Sequence, residues 1–365
     1  MSHLKTKIEY DNREDNVYFN INLVNNNPFS VPCQFTETLT NDIVGNTNDY
    51  YLSIIRFSID GGSMPIFFFK DNVGGQPLSG YWITLSYLGV NYSLPVVYDS
   101  LYTPGATSPP YNRSVYFYQA FLHMINTTFA NIFIANPGVF PIGSVAPYML
   151  FDPTTGLISL YAQSLYYADT LANPITIFFN TRLFNIFDNF ISAFFSEGSA
   201  TYTDQQLIIT DLHGSNSDLL DPTIPAGYLK MTQEYQSLYH WWDVSLLSFK
   251  STMLGVRPEY VPTANTTTSL SNNGAAGSGI PFQSVATDFI PDIASNDPAG
   301  FRQSLVYLPG AQYRLIDLIN INTKTVDLII SFKDRQSTEY QYFIPPNQSV
   351  TVKMIFVKKS LFKNK

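Results

Sequence analysis

The residues best suited to catalysis or metal binding are scattered along the chain. Four histidines occur, at His3, His123, His213 and His240, and the single cysteine is Cys33. No two histidines have the spacing of a helical metal-binding pair, and none adjoins the cysteine. The pattern therefore predicts no transition-metal site and no metal cofactor.

Two polar segments carry residue types that do chemistry elsewhere. His240 and Asp243 flank two tryptophans in HWWD, which would allow a catalytic pair, but the adjacent indoles favour an aromatic core cluster. Residues 211–218 (DLHGSNSD) offer oxygen ligands for Ca²⁺ at irregular intervals, without the order of acidic positions and the final Glu of an EF-hand. We interpret the first segment as core and the second as a polar turn.

Sequence signatures of enzymes are absent from the chain. It has no G-x-S-x-G elbow, phosphate-binding loop or dinucleotide fingerprint, and the pairs Gly61-Gly62 and Gly74-Gly75 are isolated turn signals. Two carboxylates for glycoside hydrolysis are defined by their separation in space, so a carbohydrate-active enzyme on a β-sandwich stays open as an alternative. The sequence favours a protein that is not an enzyme and that binds no cofactor.

Charge is low and negative, with one basic exception at the C-terminal end. The chain has 20 Lys and Arg against 28 Asp and Glu, a formal net charge of −8, so no broad basic surface is available for nucleic acid. The exception is a lysine cluster, for which two interpretations are open: a solvated terminus, or a docking tail for an acidic partner or for nucleic acid. Its members are Lys353, Lys358, Lys359, Lys363 and Lys365.

The composition predicts a folded β protein. Hydrophobic residues make up 45% of the chain, charged residues 13% and aromatic residues 15%, and aromatic side chains are enriched in strands. One cysteine excludes an intrachain disulfide, and the polar N-terminus lacks the apolar core of a secretory signal. The least charged stretch, residues 131–151, is interrupted by prolines and glycines, which argues against a membrane span.

Alternation of apolar and polar residues marks strands along most of the chain. The clearest are three consecutive C-terminal segments at 325–333, 340–344 and 350–356, which we interpret as an antiparallel meander. Several short strands divided by turn residues predict a sandwich. Further predicted strands are 17–24, 33–40, 50–59, 81–87, 148–150, 157–162, 175–179, 207–212 and 313–318.

Helical spacing occurs in two places. Residues 114–133 place their apolar side chains on one face, with Ser114 as the expected N-cap, and residues 181–190 predict a shorter helix. Residues 263–279 (TANTTTSLSNNGAAGSG) are of low complexity and predict a loop. The fold class is thus all-β with one or two helices.

The order of several segments resembles a known family. YYLSIIRFSIDGGSMPIFF, YFYQAFLHMINTTF, DPTTGLISL, FFNTRLFNIFDNF and LLSFKSTMLGVRPEYVP occur in turn, followed by TDFIPD and YRLIDL. Together they resemble the penton, or minor capsid, proteins of virophages, polinton-like viruses and adintoviruses. The resemblance implies a jelly-roll β-sandwich, homopentamers at the five-fold vertices of an icosahedral virion, and contacts with double-jelly-roll major capsid trimers and other minor capsid proteins. It also implies synthesis in the host cytoplasm or a viral factory.

The chain is longer than a bare single jelly roll, which predicts an insertion or lengthened loops. We expect residues 1–45 to form either an N-terminal arm or the first strands. Residues 46–365 would then form the jelly roll, with long insertions that include 99–145 and 262–300.

Three other functions stay open at this point. An all-β attachment or fibre-like protein would bind a glycan through exposed tyrosine and tryptophan. A single-jelly-roll capsid protein could occupy another position in the virion. A major capsid protein is less favoured because a double jelly roll usually needs a longer chain.

Overall fold

The computed structural model describes residues 15–69, 80–99, 113–211, 221–237, 241–254, 285–289, 304–307, 314–318, 323–335 and 339–362. The chain divides into two compact units. The first, which we name the jelly-roll unit, combines Met1–Met64 with Val244–Lys365. The second, the inserted unit, is Pro65–Asp243.

The strands and helices follow one another in chain order. The jelly-roll unit begins with β1 (Asn16–Val24), β2 (Val31–Pro32), β3 (Gln34–Thr38) and β4 (Tyr50–Asp60). The inserted unit contains β5 (Phe67–Phe68), β6 (Trp82–Tyr87), β7 (Val90–Pro95), β8 (Ser114–Val115), α1 (Tyr118–Ala135), β9 (Tyr148–Phe151), β10 (Ile158–Gln163), α2 (Ser164–Tyr167), β11 (Thr176–Phe179), α3 (Thr181–Phe184), β12 (Ser192–Phe194), β13 (Gln205–Leu207) and β14 (Tyr228–Thr232). The jelly-roll unit resumes with β15 (Val244–Lys250), β16 (Val285–Phe289), β17 (Ser304–Tyr307), β18 (Ile316–Asp317), β19 (Thr325–Asp334), β20 (Glu339–Gln341), β21 (Phe343–Ile344) and β22 (Ser349–Lys358).

Eight strands of the first unit pair in the order of a jelly roll. One sheet runs β1-β22-β4-β17, and the other places β3 beside β19, followed by β15 and β16. Counted along the chain, the first sheet holds the first, eighth, third and sixth of these strands, and the second sheet holds the second, seventh, fourth and fifth. Two interlocked Greek keys of this kind define the jelly roll. The predicted all-β class and jelly-roll sandwich are confirmed.

Aromatic side chains join the two sheets. The ring of Phe57 on β4 lies 4.9 Å from that of Phe249 on β15 and 4.8 Å from that of Phe289 on β16. At another point Phe19 on β1 contacts Phe35 on β3, with 6.3 Å between the ring centroids. Flat rings fill the space between pleated sheets well, so the high aromatic content serves the sandwich core.

The C-terminal meander predicted from sequence is wrong. β20 pairs with β19 as expected, but β21 pairs with β2, and β22 lies between β1 and β4 in the opposite sheet. Alternation shows which face of a strand is buried and not which strand lies beside it. The last strand therefore changes sheets without any sign in its own sequence.

The inserted unit packs sheets around α1. Its largest sheet has the strand order β12-β13-β11-β6-β7, and a smaller one has the order β14-β10-β9. α1 buries residues at helical spacing, among them Phe121, Ile125, Phe129 and Ile132. The ring of Phe129 lies 6.3 Å from that of Phe179 on β11, which places the helix against the larger sheet.

Both predicted helices exist with different bounds. Ser114 lies in β8, where it pairs with Phe68, and α1 begins after Phe117, which makes no side-chain capping bond. The predicted Ser114 cap is therefore wrong. The second helix is the short α3, whose N-cap Asn180 accepts a hydrogen bond from the backbone N–H of Leu183 at 3.2 Å.

The division into units differs from the one expected from sequence. The described part of residues 1–45 forms β1, β2 and β3 of the jelly roll. A separate unit, which includes 99–145, interrupts residues 46–365 between β4 and β15, because it closes its own core around α1. Of 262–300, β16 is described; the remainder, with the loop 263–279, lies outside the described residues. Within the described ranges, no helix is both long enough and apolar enough to cross a membrane.

Candidate assembly surfaces

The structure separates the residues that were candidates for metal chemistry. His123 lies on the exposed face of α1, with its Nε2 3.4 Å from the Thr127 hydroxyl. His3, His213, His240 and residues 212–218 lie outside the described residues. Among the residues that are described, no group of three or more His, Cys, Asp or Glu is placed to hold a metal ion.

The tryptophan of HWWD that follows His240 is a core residue. Trp241 is 1% exposed, and its indole N–H donates a 2.8 Å hydrogen bond to the carbonyl of Ile186. Four rings surround it, which confirms the aromatic-core interpretation for Trp241. Their centroids lie 5.1 Å (Tyr118), 5.2 Å (Phe187), 5.4 Å (Phe121) and 6.1 Å (Phe67) away.

The C-terminal lysines that the structure describes each rest against a partner in the jelly-roll unit. Lys353 lies on β22, in the middle of a sheet, and the other two follow at and after the end of that strand. Lys363 and Lys365 lie outside the described residues. The contacts are Lys353 Nζ 4.6 Å from the Tyr18 ring, Lys358 4.0 Å from the Asp15 carboxylate, and Lys359 2.7 Å from the Asp317 carboxylate and 4.9 Å from the Tyr51 ring.

Buried ionisable groups serve the fold of the jelly-roll unit. Burial raises the pKa of the Cys33 thiol to about 12, which keeps it protonated near neutral pH and makes it a poor nucleophile in the folded protein. Burial also lowers the pKa of Lys250 on β15, while its ion pair with Glu339 on β20 acts in the opposite direction. Both side chains thus belong to the interior of the jelly-roll unit.

The net charge of the chain resides in the inserted unit. Residues 65–243 contain 4 Lys and Arg against 12 Asp and Glu, and the jelly-roll unit contains 16 of each kind. The jelly-roll unit is thus formally neutral, and the inserted unit carries the whole −8. Copies of the inserted unit therefore repel one another, and this repulsion is weakest where the contact surfaces lack charge.

One uncharged apolar surface lies beside β7 at one edge of the large sheet of the inserted unit. We name it the β7-side patch. Phe140 packs between β7 and α1 in this patch, because its ring centroid lies 5.4 Å from that of Tyr92 on β7 and 4.3 Å from that of Phe133 on α1. The Tyr166 hydroxyl donates a 2.9 Å hydrogen bond to the carbonyl of Ile142. The exposed members are Leu88, Val90, Ile134, Ile142, Val145 and Leu165.

A second apolar surface follows the opposite edge of the same sheet. We name it the β12-edge patch; it is made of Ile191 and Phe195 on one face of the sheet and Phe194 on the other, so it wraps around the edge. The two phenylalanines are 63% and 61% exposed, respectively, and Phe195 packs edge-on against Phe178 of β11 at 5.8 Å. Large exposed apolar patches on a soluble protein mark interaction sites.

Known proteins agree with an assembly role. The family model for Sputnik minor capsid protein V18/19 matches residues 17–358. The chain belongs to this minor capsid protein family. Structural protein V19 of the Sputnik virophage is 32% identical over 218 residues, which are 58% of this chain and 94% of that protein. Protein V18 of the same virophage is 33% identical over 158 residues, which are 37% of this chain and 90% of that protein.

Solved structures extend the likeness of this minor capsid protein to nearly its whole length. A chain of the Sputnik virophage particle, solved by cryo-EM, has a TM-score of 0.76 at 29% identity and covers 96% of this chain and 99% of its own length. The mavirus penton protein has a TM-score of 0.65 at 15% identity, and the match covers 94% of this chain and 99% of the mavirus chain. The predicted structural, non-enzymatic role in a capsid is confirmed by the family.

Sequence reasoning missed both apolar patches. Their members lie in segments that read as ordinary strands and loops, and pairs such as Phe194-Phe195 look like core residues. The available signal was the lack of charge in residues 86–98, 131–151 and 189–196 of a unit that is otherwise acidic.

Proposed function

We propose that this minor capsid protein is the penton of its virion, which forms homopentamers that close the five-fold vertices. The supporting observation is the jelly roll of a minor capsid family member, whose fold matches that of the mavirus penton protein over nearly the full length of both chains. The likeness to the mavirus protein is one of fold. No catalytic step is part of this function.

A five-fold ring suits the physical requirements of a vertex. Each copy contacts its two neighbours through two different surfaces, and such a heterologous interface closes after five rotations. A stable interface buries about 800 Å² or more on each partner. Ring closure then adds many modest contacts, because the last interface forms within a single assembly.

Contacts beyond the ring would involve trimers of the major capsid protein and other minor capsid proteins. The jelly-roll unit is formally neutral, so it can pack against neighbouring capsomers without strong long-range repulsion. The buried, unpaired Cys33 fits assembly in the reducing host cytoplasm or viral factory.

The C-terminal lysines would act as a docking segment for nucleic acid or for an acidic capsid partner. Lys353, Lys358 and Lys359 already contact groups of their own unit, so the docking role falls chiefly on Lys363 and Lys365. Replacement of Lys363 and Lys365 by Ala should weaken binding to nucleic acid or to an acidic capsid partner. Unchanged binding, measured by filter retention and by co-sedimentation with the partner, would assign these lysines to a solvated terminus.

The oligomeric state tests the main proposal. Native mass spectrometry of the purified protein should show an assembly of five 41.1 kDa chains. Cryo-EM of particles with and without the protein should show density lost at the five-fold vertices alone. A stable trimer, a persistent monomer, or loss of density at another position would overturn the proposal, and specific glycan binding without vertex density would favour an attachment protein.

A further inference from the structure

We infer that neighbouring copies meet through the two apolar patches of the inserted unit, with the β12-edge patch of one copy docked against the β7-side patch of the next. This inference rests on the proposed ring and names the surfaces that close it. The partner is a second copy of the same chain.

The backbone of β12 is open on one side. The carbonyl of Ile191 accepts a 2.9 Å hydrogen bond from Ile208, and the N–H of Phe195 donates a 2.8 Å bond to Asp204. Because residues of an antiparallel strand alternate, Ser192 and Phe194 direct their backbone groups away from β13. In the described part of the chain, no strand pairs with this side of β12.

β12 has only three residues, and shortness is one protection of an edge strand against association, but the part of the chain that the structure describes supplies none of the other protections. Proteins guard exposed edge strands with charged residues, prolines, bulges or a covering segment. Residues 189–196 (NFISAFFS) contain neither a charge nor a proline, and Phe194 and Phe195 are mostly exposed. An uncharged edge with two exposed rings gains stability when another apolar surface covers it.

The β7-side patch offers a matching surface. Ile142 is fully exposed at a loop that Phe140 anchors to β7, and Val90 lies on β7 itself. Ile134 and Leu165 are each 75% exposed. Their segments 86–98, 131–151 and 163–168 contain no charged residue, so burial of this patch requires no desolvation of an ion.

Charge and topology both select a second copy as the occupant. The inserted unit carries 12 acidic against 4 basic residues, so electrostatic repulsion between copies is weakest when they meet through uncharged surfaces, and each patch is one. The patches lie at opposite edges of one five-stranded sheet, about 19 Å apart across the strands. Two different complementary surfaces on opposite sides of the unit generate a ring when the rotation between copies closes, as the proposed pentamer requires, whereas a two-fold dimer would need one surface that binds itself.

Two lysine substitutions test the pairing. Phe194→Lys blocks the β12-edge patch and Ile142→Lys blocks the β7-side patch. Each variant alone should lose the ring, with at least about a tenfold rise in the protein concentration needed for half-assembly, because an unpaired charge enters every interface. Leu150→Lys is the matched control, since Leu150 is 49% exposed on β9 in another sheet of the same unit, and its ring should persist.

A mixture of the two variants makes the test specific. The Phe194→Lys copy keeps its β7-side patch and the Ile142→Lys copy keeps its β12-edge patch, so one intact interface can form between them. Native mass spectrometry of the equimolar mixture should show heterodimers and no ring. Circular dichroism checks that each variant is folded. If Phe194→Lys does not fold, Phe195→Ser serves as a second β12-edge variant.

The outcomes separate this inference from the proposed function. Pentamers that survive both lysine substitutions, or that Leu150→Lys disrupts equally, overturn the pairing and leave the vertex proposal standing. Failure of the mixture to form heterodimers also overturns the pairing. A ring of another size that both variants dissociate supports the pairing and overturns the pentamer, and a wild-type monomer overturns both.

Discussion

Asp327 on β19 holds Thr252, just after the end of β15, through two hydrogen bonds to one carboxylate oxygen. The backbone N–H of Thr252 donates at 2.8 Å and its hydroxyl at 2.6 Å. The other oxygen accepts from the Ser251 hydroxyl and from the N–H of Met253, the latter at 2.9 Å. Asp327 is 4% exposed, so a buried carboxylate fixes the turn that leaves β15.

This carboxylate should make the stability of the jelly-roll unit depend on pH. Burial alone would raise the pKa of Asp327, but the hydrogen bonds from Ser251, Thr252 and Met253 outweigh burial and hold the pKa below its usual value. A depressed acid pKa stabilises the folded state above the unfolded value of about 4, and this stabilisation is lost as the pH falls through the lower folded pKa.

Asp327→Asn should therefore lower the free energy of unfolding by about 1–3 kcal/mol at neutral pH, because the amide cannot satisfy all four donors. Urea unfolding from pH 2 to pH 7 measures the difference from wild type, which should shrink below about pH 4. Glu37→Gln, the same kind of change at an exposed position of β3, should show little effect. A difference that is constant with pH would contradict this role for Asp327.

The pair Lys250 and Glu339 should show strong coupling. Lys250 is 7% exposed, and Glu339→Gln leaves its charge buried without its carboxylate partner, which should cost about 3 kcal/mol of unfolding free energy. Lys250→Met combined with Glu339→Gln removes that charge and should recover most of the loss. A double-mutant cycle in urea measures the coupling, and additive effects of the two substitutions would count against the ion pair.

Cys33 should report opening of the sandwich. Its side chain is fully buried, and the pKa of about 12 leaves roughly a thousandth of the thiolate that an ordinary cysteine has near neutral pH. Alkylation by iodoacetamide at pH 8 should thus be at least about 10³-fold slower in native protein than in urea. Rapid labelling of the native protein would show that the β2–β3 region opens readily.

Trp241 should be a main determinant of stability in the inserted unit. Trp241→Ala removes a buried indole from among four rings and should lower the free energy of unfolding by about 3–5 kcal/mol. Trp241→Phe keeps most of the packing but loses the hydrogen bond to Ile186, so a smaller loss of about 1–2 kcal/mol is expected. Denaturation followed by circular dichroism measures both; equal losses would assign the effect to the hydrogen bond.

The local alternation of apolar and polar residues is sufficient to predict the position of several individual strands. The strands predicted at 17–24, 50–59 and 81–87 correspond to β1 (Asn16–Val24), β4 (Tyr50–Asp60) and β6 (Trp82–Tyr87). These segments alternate strongly because one face of each is buried. The predicted start of α1 is wrong because Ser114 has the side chain of an N-cap but lies in β8, where it pairs with Phe68 of β5. This pairing joins residues far apart in the sequence.

The sequence by itself determined the all-β class, the lack of an intrachain disulfide and, through the order of its segments, the capsid family. Composition and the alternation of apolar and polar residues are local properties of the chain, so they can be read without knowing which segments lie side by side in the fold. The tertiary structure alone decided that β22 lies between β1 and β4, that residues 65–243 form a unit between β4 and β15, and that Ile142 and Phe194 stay exposed. Strand neighbours and exposed surfaces depend on contacts between distant residues, which no local pattern of side chains encodes.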